Sequence, residues 1–174
     1  MERIVNDFQL NIATANGTGS QSANLILLHT MFNMGVPVSG KNLFPSNISG
    51  LPTWYILRVS DNGYQAPGDR THIQIVMNKA TWEDDIANCL PGTLILFNTD
   101  VKMPVDREDC TVIGVPMTKI ARGLNPKLGR MISNMVYVGL LAEILELDSD
   151  KLNDALAHQF KGKARAIELN LEAV

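Results

Sequence analysis

The stretch ANGTGSQSAN, residues 15–24, is the first place where residue types and spacing could do chemistry. Gly17 and Gly19 stand one residue apart, ringed by small polar side chains, between an apolar run and a helical pattern. Glycine lets the backbone take a positive φ and lets a ligand approach with no Cβ in the way. A helix starting near Ser20 offers backbone N–H groups that have no partner inside the helix, and its dipole favours an anion there. Thr18, Ser20, Gln21 and Ser22 add side-chain donors. A tight strand-to-helix turn with Ser20 as N-cap would use the same residues without any ligand. If the loop binds an anion, Gly19→Val should abolish binding and change thermal stability only modestly.

Other chemistry is thin. Gly17-Thr18-Gly19 supplies G-x-G, but Ser22 stands where a dinucleotide fingerprint needs a third Gly or Ala. Some twenty residues on, GVPVSGKN has no carboxylate for a ribose, which disfavours a nicotinamide or flavin site. That same stretch is a near miss for a P-loop. Asn42 replaces the magnesium-binding Ser or Thr, and the stretch follows a helix instead of opening one. His29, His72 and His158 lack metal spacing, and no G-x-S-x-G elbow is present. Glu83, Asp84 and Asp85 read as the solvated face of a short helix, and Cys89 as a small core residue. No self-sufficient catalytic constellation emerges. An anion loop without one points to a binding domain that serves an active site elsewhere.

The elements that must position the loop follow from periodicity. FQLNIATA (8–15) reads as an apolar strand running into the glycines. Ala23, Leu27, Met31 and Met34 then recur on one helix face, and Gly35 is a usual stop. Residues 36–52 are rich in turn formers and read as a long loop after a short strand. Residues 53–61, 71–78, 93–100 and 110–117 read as strands, the last two apolar on both faces. Residues 80–90 form a short helix stopped by Pro91-Gly92. A helix of about five turns spans roughly 126–147, and Ser149 and Asp150 open another. The tail ARAIELNLEAV is helical with no evident cap, as if the chain once continued or docks on a partner. The methionines at helical spacing (Met31, Met34, Met131, Met135) read as core fillers ahead of interface residues. Strands alternating with helices predict an α/β fold: three layers, α/β/α, Rossmann-like, around a mostly parallel and possibly mixed sheet.

Composition bounds the rest. With 174 residues, 45% hydrophobic and 19% charged, the chain reads as one ordinary globular domain. A net charge of −3, with no basic block beyond the thin FKGKAR at 160–165, gives no field for nucleic acid or an anionic membrane. Two cysteines and no Cys-x-x-Cys leave no disulfide scaffold, closed zinc site or iron–sulfur cluster of the chain's own. No signal-peptide core and no apolar run of 18 residues is present, so a reduced, soluble, cytoplasmic domain is expected.

Several segments together resemble one family: residues 6–60, with NGTGS…AN and FPSNISGLPTWYILRVS; TVIGVPMTKIA (111–121); NMVYVGLLAEIL (134–145); and FKGKARAIELN (160–170). They resemble the γ domain of the 2-oxoacid:ferredoxin oxidoreductases. The likeness is strongest to the form in which γ precedes the thiamine-diphosphate-binding α region in one subunit, as in 2-oxoglutarate oxidoreductases. It covers nearly the whole chain, so residues 1–174 are expected to be a single γ-type domain. The resemblance implies oxidative decarboxylation of a 2-oxoacid with coenzyme A to an acyl-CoA, carbon dioxide and reduced ferredoxin. Thiamine diphosphate and iron–sulfur clusters would sit in partner α and β regions, not in this chain, and the isolated chain would be inactive. Coenzyme A would be the ligand of this domain. Carried over, the implied site is Gly17, Thr18, Gly19, Ser20 and Gln21 in the glycine loop, Ser46, Asn47, Ser49 and Gly50 in a second loop, and Asn134 on the long helix. Asn47 and Asn134 would offer neutral hydrogen bonds to adenine or to the pantetheine amides. The second loop, SNISGLP, departs from the family's pattern of a Gly-Gly pair beside a basic residue, with only Lys41 nearby. Arg58 and Arg130 are candidates to compensate. An assembly of at least two subunits is expected. The alternatives are a purely structural assembly domain with an empty loop, and an independent nucleotide-type binding domain.

Overall fold

The computed structural model describes residues 6–45 and 48–174. In chain order its elements are β1 (Asp7–Ala15), α1 (Ser20–Asn33), β2 (Val38–Leu43), β3 (Pro52–Ser60), β4 (Ile73–Val76), α2 (Trp82–Ala87), β5 (Leu94–Asn98), β6 (Thr111–Val115), α3 (Met117–Leu124), α4 (Gly129–Ile144), α5 (Ser149–Gln159) and α6 (Ala164–Leu171). They fall into two compact units. One comprises the chain up to Gly17 together with Val36–Val115; the other comprises Thr18–Gly35 and Pro116–Val174. The α/β class is as expected.

The first unit is a six-stranded sheet in the order β2-β3-β1-β4-β5-β6. β1 runs antiparallel to β3, with Asp7 opposite Ser60 and Ala15 opposite Pro52, and parallel to β4, with Leu10 opposite Ile73. β2 is antiparallel to β3, while β4, β5 and β6 continue in parallel. The sheet is therefore mixed, with the antiparallel part confined to β2 and β3. Leu10 and Ile12 of β1, Leu57 and Val59 of β3, and Ile75 of β4 are sealed from solvent. Each contributes roughly 1.5–3 kcal/mol by burial. Val76, Ile86, Cys89, Ile95 and Met103 form a cluster that fastens α2 beside the sheet, with Trp82, Phe97 and Val112 packed against it.

One strand departs from expectation. β6 reads as apolar on both faces, yet Thr111, Ile113 and Gly114 are exposed. Among the described residues it has only β5 as a neighbour, so it is an edge strand. Gly114 lies where a Cβ would collide with Phe97 and Thr99, so its lack of a side chain makes room for that ring.

In the second unit α1 packs on α4 and α5, α3 on α4, and α6 on α5. Ala23, Ile26, Leu27 and Met31 of α1, Tyr137, Val138 and Leu141 of α4, and Leu152, Ala155 and Leu156 of α5 are buried. The buried Tyr137 hydroxyl donates to Asn24 Oδ1 at 2.8 Å. Met31 and Met135 are core fillers, as expected, but Met131 is 58% exposed. The sequence shows no sign of α3, where only Met117 and Ala121 are buried. α4 begins at Gly129, not near 126, because Asn125 Oδ1 accepts from the N–H groups of Lys127 and Leu128 and holds those residues in a turn. α5 is capped by Asp148, whose carboxylate accepts from the N–H groups of Asp150 and Lys151. Among the described residues no helix is long and apolar enough to cross a membrane.

Candidate functional site

In the sheet unit, the end of β1 is stitched to the second loop by two backbone bonds. Asn16 N–H donates to Leu51 O at 2.9 Å, and Gly50 N–H donates to Asn16 O at 2.9 Å. Gly17 follows at φ +78°, in the left-handed region that favours glycine. A Cβ there would stand 2.6 Å from Ser49 Oγ, so the two segments are in close contact. Gly50 is also left-handed, at φ +89°, but a Cβ there would meet nothing within 4 Å among the described residues. The sequence-predicted Gly17, Ser49 and Gly50 are thus neighbours. Ser46 and Asn47 lie outside the described residues.

In the helical unit, Gly19 is the N-cap of α1, at φ +86° and ψ 3°. Ser20, buried, is the first helical residue and not the cap. Among the described residues no side chain caps this helix, and no acidic residue stands in its first turn. The first helical bond is Ala23 N–H to Gly19 O, so the N–H groups of Ser20, Gln21 and Ser22 precede the ladder. Two contacts with α4 set the loop. The buried Asn134 donates from Nδ2 to Thr18 O at 2.7 Å. A Cβ on Gly19 would stand 2.7 Å from the Met131 carbonyl oxygen. Gly19 is therefore demanded by packing against backbone, which overturns the expectation that Gly19→Val would spare stability. The Asn134 amide N–H is likewise committed to the chain itself.

The start of α1 opens onto a cleft of about 770 Å³. Gly19 and Ser22 line it on one side, and Leu128 and Met131 from α4 and its approach on another. Phe160, Lys163 and Arg165, from the α5–α6 connection and α6, complete it. Gln159 Nε2 donates to Ser22 Oγ at 3.1 Å and anchors that connection beside the first turn of α1. Neither Lys163 nor Arg165 joins an ion pair among the described residues. The basic stretch FKGKAR was the available signal, but nothing in the sequence brings it to Gly19.

The other candidates are placed as follows. Arg58 is spent within β1 and β3: it pairs with Asp7 at 2.5 Å and donates to Phe8 O and Val59 O. Arg130 is exposed at the start of α4. Asp85 is no solvated acid. It is buried, accepting from Trp54 Nε1 at 2.7 Å and Thr81 Oγ1 at 2.8 Å. Burial raises its carboxyl above the ordinary carboxylate range despite those two donors. Cys89 is a core residue whose thiol burial pushes up to about 11, so it is not a reactive thiolate. His72 Nδ1 accepts from Gln9 N–H at 3.1 Å, and burial lowers its pKa. His29 and His158 bring their rings to 5.4 Å, from α1 and α5.

A strand, a glycine turn before the start of a helix, and a mixed six-stranded sheet make the fold class α/β. The chain superposes on a 2-oxoglutarate:ferredoxin oxidoreductase from Magnetococcus marinus with 2-oxoglutarate, coenzyme A and succinyl-CoA bound. The TM-score is 0.86 and the identity 24%, over 98% of this chain and 30% of that one. A keto/oxoacid ferredoxin oxidoreductase γ subunit from Geobacter sulfurreducens matches at TM-score 0.76 and 14% identity, over 95% of this chain and 93% of that one. At these identities both likenesses speak to the fold. The chain belongs to the pyruvate ferredoxin/flavodoxin oxidoreductase family, whose sequence model matches residues 9–174. A 2-oxoacid:ferredoxin oxidoreductase subunit alpha from Aeropyrum pernix is 25% identical, over 97% of this chain and 33% of its own length. The chain spans about a third of the length of the curated relatives it matches.

Proposed function

We propose that residues 1–174 are the non-catalytic γ domain of a cytoplasmic 2-oxoacid:ferredoxin oxidoreductase, contributing to coenzyme A binding and to assembly with α and β regions. Thiamine diphosphate would supply the carbon chemistry, and iron–sulfur clusters would pass electrons to ferredoxin, both outside this chain. The residues proposed for the ligand are Gly17, Ser46, Asn47, Ser49 and Gly50 in the sheet unit, and Thr18, Gly19, Ser20, Gln21 and Asn134 in the helical unit. Asn134 would act by fixing Thr18. The observation that carries the reading is the start of α1: three unladdered N–H groups, no side-chain cap among the described residues, no acid in the first turn, and a left-handed glycine before them. Helix starts of this kind favour phosphate, and coenzyme A carries a pyrophosphate and a ribose phosphate.

Gln21→Glu tests it. Gln21 is exposed, and an acid in the first turn leaves a helix as stable or more so. The variant should keep its unfolding midpoint and bind coenzyme A at least about fivefold more weakly in isothermal titration of the assembled protein. Unchanged affinity would remove the first turn of α1 from the ligand site, and no binding by the parent protein would remove the reading altogether. A purely structural assembly role is the second reading. The exposed Ile120, Leu124, Leu128 and Met131 favour it, and only that reading predicts co-purification with the partner subunits without coenzyme A affinity.

A further inference from the structure

We infer that Lys163 and Arg165 form a subsite for a terminal phosphate monoester in the helical-unit cleft, which for coenzyme A is the 3′-phosphate of its ribose. This rests on the coenzyme A reading above and adds residues that it does not use. Both side chains are exposed to solvent, line the same cleft as Gly19 and Ser22, and are free of ion pairs among the described residues. They stand at the start of α6, which has no side-chain cap and no acid in its first turn, so its positive end adds to their charge. The bond from Gln159 to Ser22 fixes the root of this segment beside the start of α1. Two positive helix ends and two cations therefore open onto one space.

The charge along the cleft is not uniform. Glu168 and Glu172 line it farther along α6. From Arg165 the rise along the helix is about 4.5 Å to Glu168 and about 10 Å to Glu172, at 1.5 Å per residue. A ligand that is anionic at both ends would meet repulsion at the acidic end. One with its phosphates gathered at a single end and an uncharged arm beyond would not. The apolar wall of Leu128, Met131 and Phe160 suits such an arm. The second loop, SNISGLP, brings no cation of its own, so these two residues are the cations at hand for a second phosphate.

The test is isothermal titration of the assembled protein with coenzyme A and with dephospho-coenzyme A, which lacks the monoester. The parent, Lys163→Gln/Arg165→Gln and Lys79→Gln would be compared. The parent should prefer coenzyme A by about tenfold, as for a solvent-accessible charge-assisted contact. The preference should shrink as salt is raised. The double variant should lose it while binding dephospho-coenzyme A unchanged, and Lys79→Gln, exposed in the sheet unit, should keep it. A double variant that retains the preference, or a parent that binds both compounds equally, overturns this inference and leaves the coenzyme A reading standing. A parent that binds neither compound overturns both.

Discussion

Replacing Gly19 by alanine isolates what the turn into α1 requires. Gly19 and Gly50 have nearly the same backbone, φ +86° and +89°, but different surroundings. At Gly50 a Cβ meets open space, so Gly50→Ala should cost only the left-handed strain, about 1–2 kcal/mol. At Gly19 the same Cβ would stand 2.7 Å from the Met131 carbonyl oxygen, which is backbone at the start of α4 and cannot rotate aside. Relief requires one helix start to withdraw by several tenths of an ångström. Displacements of that size in packed regions cost about 1–3 kcal/mol. Gly19→Ala should therefore destabilise by about 2–5 kcal/mol, a large share of a typical total of about 5–15 kcal/mol. For a chain of this size 1 kcal/mol moves the midpoint by about 2–4 °C. Scanning calorimetry of the two variants under one buffer gives the comparison. Gly19→Ala should melt lower than Gly50→Ala, with the gap set by the carbonyl contact. Equal shifts would refute the claim that packing against Met131 dictates glycine at position 19.

Asn134→Ala should cost about 1–3 kcal/mol in urea unfolding by removing the hydrogen bond to Thr18 O, and should weaken coenzyme A binding by loosening the loop; a loss of affinity without loss of stability would instead put Asn134 directly on the ligand. Asp85→Ala should cost about 1–3 kcal/mol by orphaning the Trp54 and Thr81 donors, whereas Asp85→Asn, which still accepts one of them and carries no buried charge, should cost less at pH 7. Because the folded-state pKa of Asp85 lies above its ordinary value, its contribution is fully present below the ordinary carboxylate pKa and is lost as pH rises through the raised one, so the cost of Asp85→Asn relative to the parent should be larger in acid than at pH 7. His72 has the opposite sense: its folded pKa lies below 6.5, so stability should fall as pH drops from about 6.5 towards that lowered value, and His72→Asn, which keeps an acceptor for Gln9 N–H, should flatten that slope in pH-dependent thermal melts.

The amino-acid order determines the local parts of this protein and the family to which it belongs. β1, the glycines and α1 are legible because apolar period, turn residues and helix face all concern neighbours within a few positions. The same holds for β3, α2 and α5. Asp148 shows the limit even there: three cap-competent residues in a row, Asp148, Ser149 and Asp150, leave periodicity unable to choose among them. What only the tertiary structure decided depends on groups far apart in the chain. β6 has the composition of a buried strand and is an edge because, among the described residues, no seventh strand pairs with it. Asp85 looks like one of three solvated acids until Trp54, 31 residues earlier, reaches it with its indole N–H. Gly19 looks like a residue chosen for a ligand, and only the Met131 carbonyl, 112 positions on, reveals the steric demand of the fold itself. Lys163 and Arg165 are two ordinary surface cations in the sequence. Their place in the cleft with Gly19 follows from helix packing and from one hydrogen bond, Gln159 to Ser22. Short-range order can be read from spacing because the backbone imposes it. Long-range proximity is set by which buried surfaces fit, and the sequence states that only once it is folded.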